Sequence, residues 1–267
     1  MKILYLGDIM GQPGIETIEK LLPGIRREHS VDVVVAQAEN VTDGKGLNKA
    51  DYEKLRSSGV DGFTGGNWTL HNDDIFDHLN DPQQPVVRPA NYPSGTPGQR
   101  YKFLNTAQGD ILLVSLLGTI VGKDADKPTD NPLKVIDQIL EETADHKKIA
   151  TIVNFHGDFS SEKVIIGYYL DGRASIVVGD HWHVPTADAM ILPKGTAHQS
   201  DVGMCGVLHG SLGISLESVI PRWRDGLRTR NELETKGPFQ LNGLIVEVDT
   251  GTGLALSVTP VQKITEV

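Results

Sequence analysis

Side chains that can bind metal ions follow several β-type runs of this 267-residue sequence, at the point where each run ends. They are Asp8, Glu39, Asn40, Asn67 and His156. Taken singly, an aspartate or asparagine after a strand is more often a turn or helix-cap residue. Taken together they indicate a site, because ligands gather at the carboxyl ends of the strands in open α/β sheets.

A second signal is the segment His181-Trp182-His183, which follows the apolar run ASIVVG. In an extended segment, residues two apart point to the same side. We therefore predict that the strand leads directly into this segment and turns both imidazoles towards one centre. The alternative is two histidines on a solvated strand end, and the other ligand-type residues at neighbouring strand ends argue against it.

Three histidines, two carboxylates and two carboxamides suit a pair of metal ions, with iron or manganese foremost and zinc as a further choice. A calcium site would be all oxygen. The single cysteine, Cys205, leaves no thiolate pair for a structural zinc site, and we predict that it is a core residue in a reducing compartment. Two divalent ions with two ligand carboxylates would form a positive centre that attracts a phosphodiester.

Composition narrows the class of protein. A hydrophobic fraction of 39% allows a large core, and a net charge of −10 without a lysine- and arginine-rich run argues against duplex nucleic acid as a partner. The N-terminal apolar run is too short for a signal peptide, and no segment approaches the roughly 18 apolar residues of a membrane span. We predict a cytoplasmic protein without membrane contacts, and leave homo-oligomerisation open.

The elements that must position these residues alternate between strand and helix patterns. Ile15, Ile18, Leu22 and Ile25 are spaced for one helix face, and this helix lies between the strand-like runs KILYLGD and VDVVVAQ. Further elements are predicted as helices near 50–57, 73–79 and 132–143, and as strands near 62–65, 111–117 and 149–154.

Two segments depart from this alternation. Residues 81–100 are rich in proline, asparagine and glycine, which predicts a long ordered loop beside the site or an excursion from the core. Near the C-terminus, the run QLNGLIVEVDTGTGLALSVTPVQKI predicts a hairpin that turns at 250–253. A single α/β domain over residues 1–267, with a mixed sheet system, fits the whole pattern.

Seven segments, in order along about 200 residues, resemble the YmdB-like branch of the calcineurin-type metallophosphoesterases. They are GDIMGQPG at 7–14, AENVTDGKG at 38–46, GGN at 65–67, RPANYP at 88–93, NFHGDFSSEK at 154–163, HWHVPTAD at 181–188 and SDVGM at 200–204. The resemblance implies an α/β fold in which two mixed β-sheets form a sandwich flanked by α-helices. It also implies a phosphodiesterase that hydrolyses 2′,3′- or 3′,5′-cyclic nucleotides by attack of a metal-bridging hydroxide.

By the family pattern each ion would have four ligands, and Glu39 would bridge the two ions. The first ion would be held by Asp8, Glu39, Asn40 and His183. The second would be held by Glu39, Asn67, His156 and His181.

One departure from the family bears on mechanism. The family has a histidine after Asn67 that is placed to protonate the leaving oxygen, and this chain has Trp68 there. The loss of a positioned acid costs on the order of 10²- to 10⁴-fold in rate. His71 is a candidate substitute, and a solvated loop histidine is its alternative. A non-catalytic metal- or nucleotide-binding regulator is therefore the second hypothesis, and a metal-dependent amidase with the same ligands is the third.

Further residues are candidates for supporting roles. Asp180 would orient a ligand histidine or lie exposed, and Asp188 and Asp201 would hydrogen-bond ligand histidines or cap loops. Arg88 and Lys163 would contact the phosphate of the substrate, or else serve structural roles. A further aromatic residue, Tyr92, would wall the pocket or anchor its own loop.

Overall fold

Two mixed sheets pack against each other in the computed structural model, which describes residues 1–122 and 125–266. The architecture is the predicted α/β sandwich. The strands in chain order are β1 (Lys2–Leu6), β2 (Asp8–Ile9), β3 (Val33–Gln37), β4 (Gly62–Thr64), β5 (Tyr101–Thr106), β6 (Gly109–Leu117), β7 (Ala150–His156), β8 (Ile176–Asp180), β9 (Met190–Ile191), β10 (Ala197–Gln199), β11 (Met204–Val207), β12 (Phe239–Val248) and β13 (Ala255–Thr265).

Six α-helices accompany these strands in the described part of the chain. They are α1 (Gly11–His29), α2 (Lys49–Ser57), α3 (Phe76–Asn80), α4 (Pro132–Glu142), α5 (Ser160–Tyr169) and α6 (Leu216–Asp225). None of the described helices combines the length and apolarity needed to cross a lipid bilayer.

The first sheet is built on parallel pairing of β1 with β3 and of β3 with β4. Strand β12 runs antiparallel to β1, to β11 and to β13, and the β12–β13 pair is the predicted C-terminal hairpin. In the second sheet β6, β7 and β8 are parallel neighbours, and β10 continues the parallel arrangement beside β8. Each sheet thus presents several parallel carboxyl ends at one edge.

Alternation along the strands divides the core into three layers. On β1, Ile3 and Tyr5 face the second sheet, while Leu4 and Leu6 pack in the layer that contains α1. On the second sheet, Val114 and Leu116 face outwards to α4 and α5, in the third apolar cluster. Because both faces of both sheets are covered, the central strands are apolar almost throughout.

Most predicted elements agree with the observed ones to within a few residues, and residues 81–100 form a loop without helix or strand, as predicted. The prediction for the histidine pair is wrong in its backbone. Strand β8 ends at Asp180, and His181 and His183 have φ values of 99° and 61°. These residues occupy the left-handed region of a tight loop, so they are not an extended continuation of the strand.

Candidate metal centre

Parallel strand ends from both sheets place the seven ligand-type side chains in one cluster. Asp8 comes from β2, His156 is the last residue of β7, and the other five lie in the loops after β3, β4 and β8. Those five are Glu39, Asn40, Asn67, His181 and His183. The first sheet therefore supplies the acidic and amide groups, and the second sheet supplies the imidazoles.

One half of the cluster is centred on His183. Its Nε2 atom lies 3.3 Å from Asn40 Oδ1 and 3.7 Å from Asp8 Oδ1. Among the described residues Asp8 Oδ1 is buried without a hydrogen-bond partner. Two ligand atoms bound to one ion at about 2.1 Å and at right angles lie about 3 Å apart, so these separations suit a shared ion.

The other half is centred on His156. Its Nε2 atom lies 2.9 Å from Glu39 Oε1 and 3.0 Å from Asn67 Oδ1, and its ring centre is 4.4 Å from that of His181. Coordinating atoms of Glu39, His156 and His181 all lie within 4.8 Å of one another. Glu39 extends from this half towards the backbone of Trp68, whose N–H donates to Oε2 over 3.0 Å.

The hydrogen bonds on the far side of each imidazole show that lone pairs converge. His183 Nδ1 lies 3.1 Å from the carbonyl oxygen of Leu212, which can only accept, so Nδ1 carries the proton and Nε2 is a lone pair. His156 Nδ1 similarly faces Asp180 Oδ1 at 2.7 Å. Each Nε2 lone pair then points at oxygen acceptors, an arrangement that a cation resolves. The residues present therefore fit a metal ion in each half.

Protonation equilibria agree with this fit. Burial lowers the pKa of His181 to about 4, with a contribution from His156, and burial likewise lowers the pKa of His183, so both rings are neutral at pH 7. Burial also lowers the pKa of His156, but the Glu39 charge and the hydrogen bond to Asp180 outweigh it and raise that pKa well above its ordinary value. A proton and a metal ion compete for the same His156 lone pair.

Asp180 is the hub of a buried network beneath the centre. Besides His156, its carboxylate accepts hydrogen bonds from the Tyr5 hydroxyl (3.0 Å), Gln37 Nε2 (3.0 Å) and Asn154 Nδ2. Burial opposes ionisation of Asp180, but its bond to His156 prevails and the pKa of Asp180 lies below its ordinary value. Of the two predicted roles, Asp180 thus has the orienting one, and it is fully buried.

Sequence reasoning did not identify Tyr5, Gln37 or Asn154. Each is a buried polar residue in a mainly apolar strand, in the runs KILYL, VVVAQ and ATIVNFH. A buried polar residue in such a strand needs a hydrogen-bond partner, so its presence in an apolar run is a sequence signal for a buried polar network.

Lys163 and Asp201 form the support of the histidine loop. Lys163 is fully buried, donates to Asp201 Oδ2 (2.8 Å) and to the Asp180 carbonyl, and lies 4.1 Å from the centre of the Trp182 ring. Asp201 Oδ2 also accepts from the Trp182 N–H at 2.9 Å. Burial raises the pKa of Asp201 to about 6, although Lys163 opposes the change. The sequence left two roles open for each of these residues, and the described contacts are those of the structural role for Lys163 and of the loop cap for Asp201, which together fix the backbone between the two histidines.

The sequence left two roles open for Asp188 and Arg88 as well. Asp188 Oδ1 accepts from the Ser200 N–H at 3.2 Å, so it caps a loop and contacts no ligand histidine in the described structure. The Arg88 guanidinium is buried and donates to the carbonyls of Gly98 (3.1 Å) and Pro89 (2.7 Å). The Arg88 guanidinium makes these hydrogen bonds within its own loop, so of its two predicted roles the structural one fits the described contacts.

The rim of the centre is formed by Trp68 and its neighbours. His71 is exposed, and its ring meets the Trp68 indole edge-on with centres 5.6 Å apart. The described contacts do not join the His71 side chain to any ligand. Tyr92 anchors the loop of residues 81–100 beside the centre, because its hydroxyl lies 3.5 Å from the Gly66 carbonyl oxygen.

A close approach explains the glycine before Asn67. A Cβ atom on Gly66 would overlap Glu39 Oε2 and would lie 2.6 Å from two carbons of the His156 ring. Only glycine lets the loop after β4 pass directly against both ligand-type side chains.

Comparison with known proteins gives concordant matches over nearly the whole chain. The family model described as "YmdB-like protein" matches residues 4–261. A Bacillus subtilis (strain 168) protein named 2′,3′-cyclic-nucleotide 2′-phosphodiesterase is 37% identical over 259 residues, which are 97% of this chain and 95% of the relative.

Two solved structures are also similar at useful identity. A hypothetical protein from Thermus thermophilus superposes with a TM-score of 0.89 at 35% identity and 99% coverage of both chains. A structure described as a novel phosphatase from Mycoplasma pneumoniae superposes with a TM-score of 0.91 at 32% identity, covering 100% of this chain and 94% of the other.

Proposed function

Because the chain belongs to the YmdB-like protein family, we propose that it is a metal-dependent phosphodiesterase that hydrolyses small cyclic nucleotides, 2′,3′-cyclic monophosphates foremost. The name of the Bacillus subtilis relative supports this substrate class. The observation that carries the proposal is the convergence of imidazole lone pairs and buried carboxylate oxygens on two adjacent points, because such a site has little use except to bind cations.

Two ions of iron, manganese or zinc fit the donors. Asp8, Asn40 and His183 would hold one, and Asn67, His156 and His181 the other, with Glu39 shared between them. When bound, such ions neutralise phosphate charge and lower the pKa of water to near neutrality. This reconciles an acidic chain with an anionic substrate.

The residues around the ligands fix the geometry on which that chemistry depends. Asp180 holds the proton of His156 on Nδ1 and keeps its Nε2 lone pair directed to the centre. The Lys163–Asp201 pair holds the backbone between His181 and His183 from below. The substrate phosphate would therefore bind to a site that requires little rearrangement. Such preorganisation is a main source of the rate enhancement of an enzyme over the reaction in solution.

The test compares metal content and turnover in one preparation. Protein loaded with manganese or iron should hydrolyse bis-p-nitrophenyl phosphate and 2′,3′-cyclic AMP, and His183→Ala and Asn67→Ala should each abolish turnover. His146→Ala is the control, since His146 pairs with the exposed side of Asp110 away from the ligands. Full activity in both ligand variants would reject the proposal.

A second candidate is a nucleotide-binding regulator, because Trp68 stands at the rim where a proton donor would be expected. It predicts metal and nucleotide binding with negligible turnover. Brisk hydrolysis of a cyclic nucleotide by the wild-type protein decides against it.

A further inference from the structure

Two ammonium groups lie at the mouth of the candidate centre, both against Trp68. Lys45 Nζ is 4.7 Å from the centre of the indole ring, and Lys127 Nζ is 5.6 Å from it. The backbone of Trp68 is fixed beside the centre, because its main-chain N–H donates to the Glu39 carboxylate. Although the chain has a net charge of −10, the two lysines place positive charge around Trp68, the residue whose backbone contacts Glu39.

The backbone of Lys45 is tied to the loop that carries the ligands Glu39 and Asn40. Its own N–H donates to the Thr42 carbonyl at 2.9 Å, and the N–H of the next residue, Gly46, donates to the Glu39 carbonyl. The carbonyl oxygen of Lys45 accepts a hydrogen bond from Asn72 Nδ2 at 3.0 Å. The stem of this lysine therefore starts from a defined point at the rim.

The two ammonium groups differ in their partners. Lys127 Nζ donates to the Asn67 carbonyl at 3.0 Å. No described residue forms an ion pair or hydrogen bond with Lys45 Nζ, and its contact is the face of the indole. A cation on an aromatic face is weakly held, by about 0.5–1 kcal/mol at an exposed site, and keeps its donors for another acceptor.

In-line displacement at phosphorus determines where such a donor is useful. The attacking oxygen comes from the side of the ligands, so the leaving oxygen departs on the opposite side, towards the mouth. Negative charge develops on that oxygen as the bond breaks, and a positive hydrogen-bond donor at that point stabilises the transition state more than the ground state.

We propose that the Lys45 ammonium, held against Trp68, hydrogen-bonds the leaving oxygen and stabilises its developing charge. This rests on the proposed phosphodiesterase function. A bond forms between a water oxygen and phosphorus, and the bond to the leaving oxygen breaks with its electron pair on that oxygen, which takes up the proton lost by the water. Lys45 keeps its own proton. Trp68 is the positioning residue.

The test is the dependence on the leaving group. A 2′,3′-cyclic nucleotide releases an alkoxide, which needs stabilisation, whereas bis-p-nitrophenyl phosphate releases a phenolate that needs little. For Lys45→Met we expect kcat/KM to fall on the order of 10²-fold for the cyclic nucleotide and only about two-fold for the nitrophenyl ester. Trp68→Leu should show the same selectivity with a smaller loss.

Lys49→Met is the matched control, because Lys49 is an exposed lysine four residues away at the start of α2. It should change neither rate. Equal losses on both esters in Lys45→Met, or no loss on either, would overturn the proposal. Wild-type turnover, measured with metal content in the same samples, reports separately on the phosphodiesterase function itself.

A separate observation concerns helix α6, which presents its apolar side to solvent. Leu216, Ile220 and Trp223 follow one another at helical spacing, and Leu227 lies two residues beyond the end of the helix. All four are exposed, and Trp223 is 84% exposed. The one buried residue of this helix is Ser218, which is polar. An apolar stripe of this kind on a folded protein marks an interaction surface.

The charge around the stripe identifies the kind of partner. Residues 216–230 contain four arginines and two acidic residues, so this segment is positive while the remainder of the chain carries the whole negative excess. Tryptophan and arginine are enriched at the centres of protein interfaces. We infer that a second copy of this chain covers the α6 stripe, because the acidic body of one copy complements the basic, apolar helix of the other.

Sedimentation equilibrium of the metal-loaded protein at micromolar concentration tests this inference. We expect the wild-type protein to be a dimer or a higher oligomer, Trp223→Glu to be smaller, and Leu256→Glu, on the exposed face of β13, to match the wild type. A wild-type monomer, whether or not it binds vesicles of anionic lipid, would overturn the inference. So would an unchanged mass for Trp223→Glu.

Discussion

At the scale of single residues, Asp180 links the buried network to the ligands. One of its oxygens faces His156, and the other faces donors from Tyr5, Gln37 and Asn154. Replacement by asparagine would turn an NH₂ group towards at least one of these donors, and a buried polar group without a partner costs about 1–3 kcal/mol.

For Asp180→Asn we therefore expect a fall in the free energy of unfolding of about 2–4 kcal/mol and a 10- to 100-fold weaker metal affinity. Urea titration and competition with a coloured chelator measure the two quantities. Asp110→Asn is the control, since its ion pair with His146 is largely exposed and worth little. Unaltered metal affinity in Asp180→Asn would show that the orientation of His156 does not depend on this carboxylate.

Gly66 offers a prediction of the opposite kind, in which adding one carbon removes function. In Gly66→Ala the new Cβ must displace the Glu39 carboxylate or the His156 ring, so we expect turnover to fall by at least about 10²-fold. Gly24→Ala is the matched control, because no atom lies within 4 Å of a Cβ there and α1 should gain up to about 1 kcal/mol. Kinetics and thermal unfolding of both variants decide, and wild-type kinetics in Gly66→Ala would contradict the expected clash.

The ligand-type residues could be named from the sequence because each follows an apolar run. Supporting residues could be named too, but the sequence could not decide between their alternative roles, because Asp180 and Asp201 acquire these roles from partners 24 and 38 positions away. The same applies to Arg88 and Lys163. A basic residue near a site can serve the substrate or the chain, and only the position of carbonyls and carboxylates around it decides which.

At the scale of elements, the loop of residues 81–100 is the largest structure near the site without helix or strand. The buried Arg88 guanidinium holds it by donating to three carbonyls, and Tyr92 joins it to Gly66. Arg88→Met would leave those carbonyls unpaired. We expect a loss of about 1–3 kcal/mol and faster amide hydrogen exchange across this loop, detected by mass spectrometry.

Arg100→Met provides the comparison within the same loop. Arg100 pairs with Glu142 at the surface, where such a pair contributes about 1 kcal/mol or less, so exchange should hardly change. If Arg88→Met raised KM without altering exchange, the arginine would have to act on the substrate.

The elements themselves could largely be read from hydrophobic periodicity, but the histidine loop could not. Positive φ values at His181 and His183 are unfavourable for residues with a side chain and persist only where the surroundings enforce them. Here the surroundings are Lys163 and Asp201, which reach the loop from distant elements. The sequence pattern around residues 181–183 therefore could not predict these positive φ values.

At the scale of the whole molecule, removal of metal should weaken the fold. Asp8 and Asp180 are fully buried carboxylates, and their mutual repulsion adds to burial in raising the pKa of Asp8. An ion present at about 1,000 times its Kd stabilises the folded state by about 4 kcal/mol. For a chain of this size we expect EDTA to lower Tm by about 10 °C, and manganese to restore it. Scanning calorimetry measures both, and an unchanged Tm would argue against a site held by buried ligands.

The division of the ligand-type residues between the two sheets has a consequence for how the protein responds to substitutions elsewhere. The strands of the first sheet carry Asp8, Glu39, Asn40 and Asn67, while those of the second carry the three histidines. The distance from Glu39 to His156 thus depends on how the two sheets pack against each other. A large-to-small substitution in the apolar layer between the sheets, far from the site, would therefore change the distances between ligand-type atoms of the two sheets. The packing of that layer thus sets the geometry of the centre at the edge of the sheets.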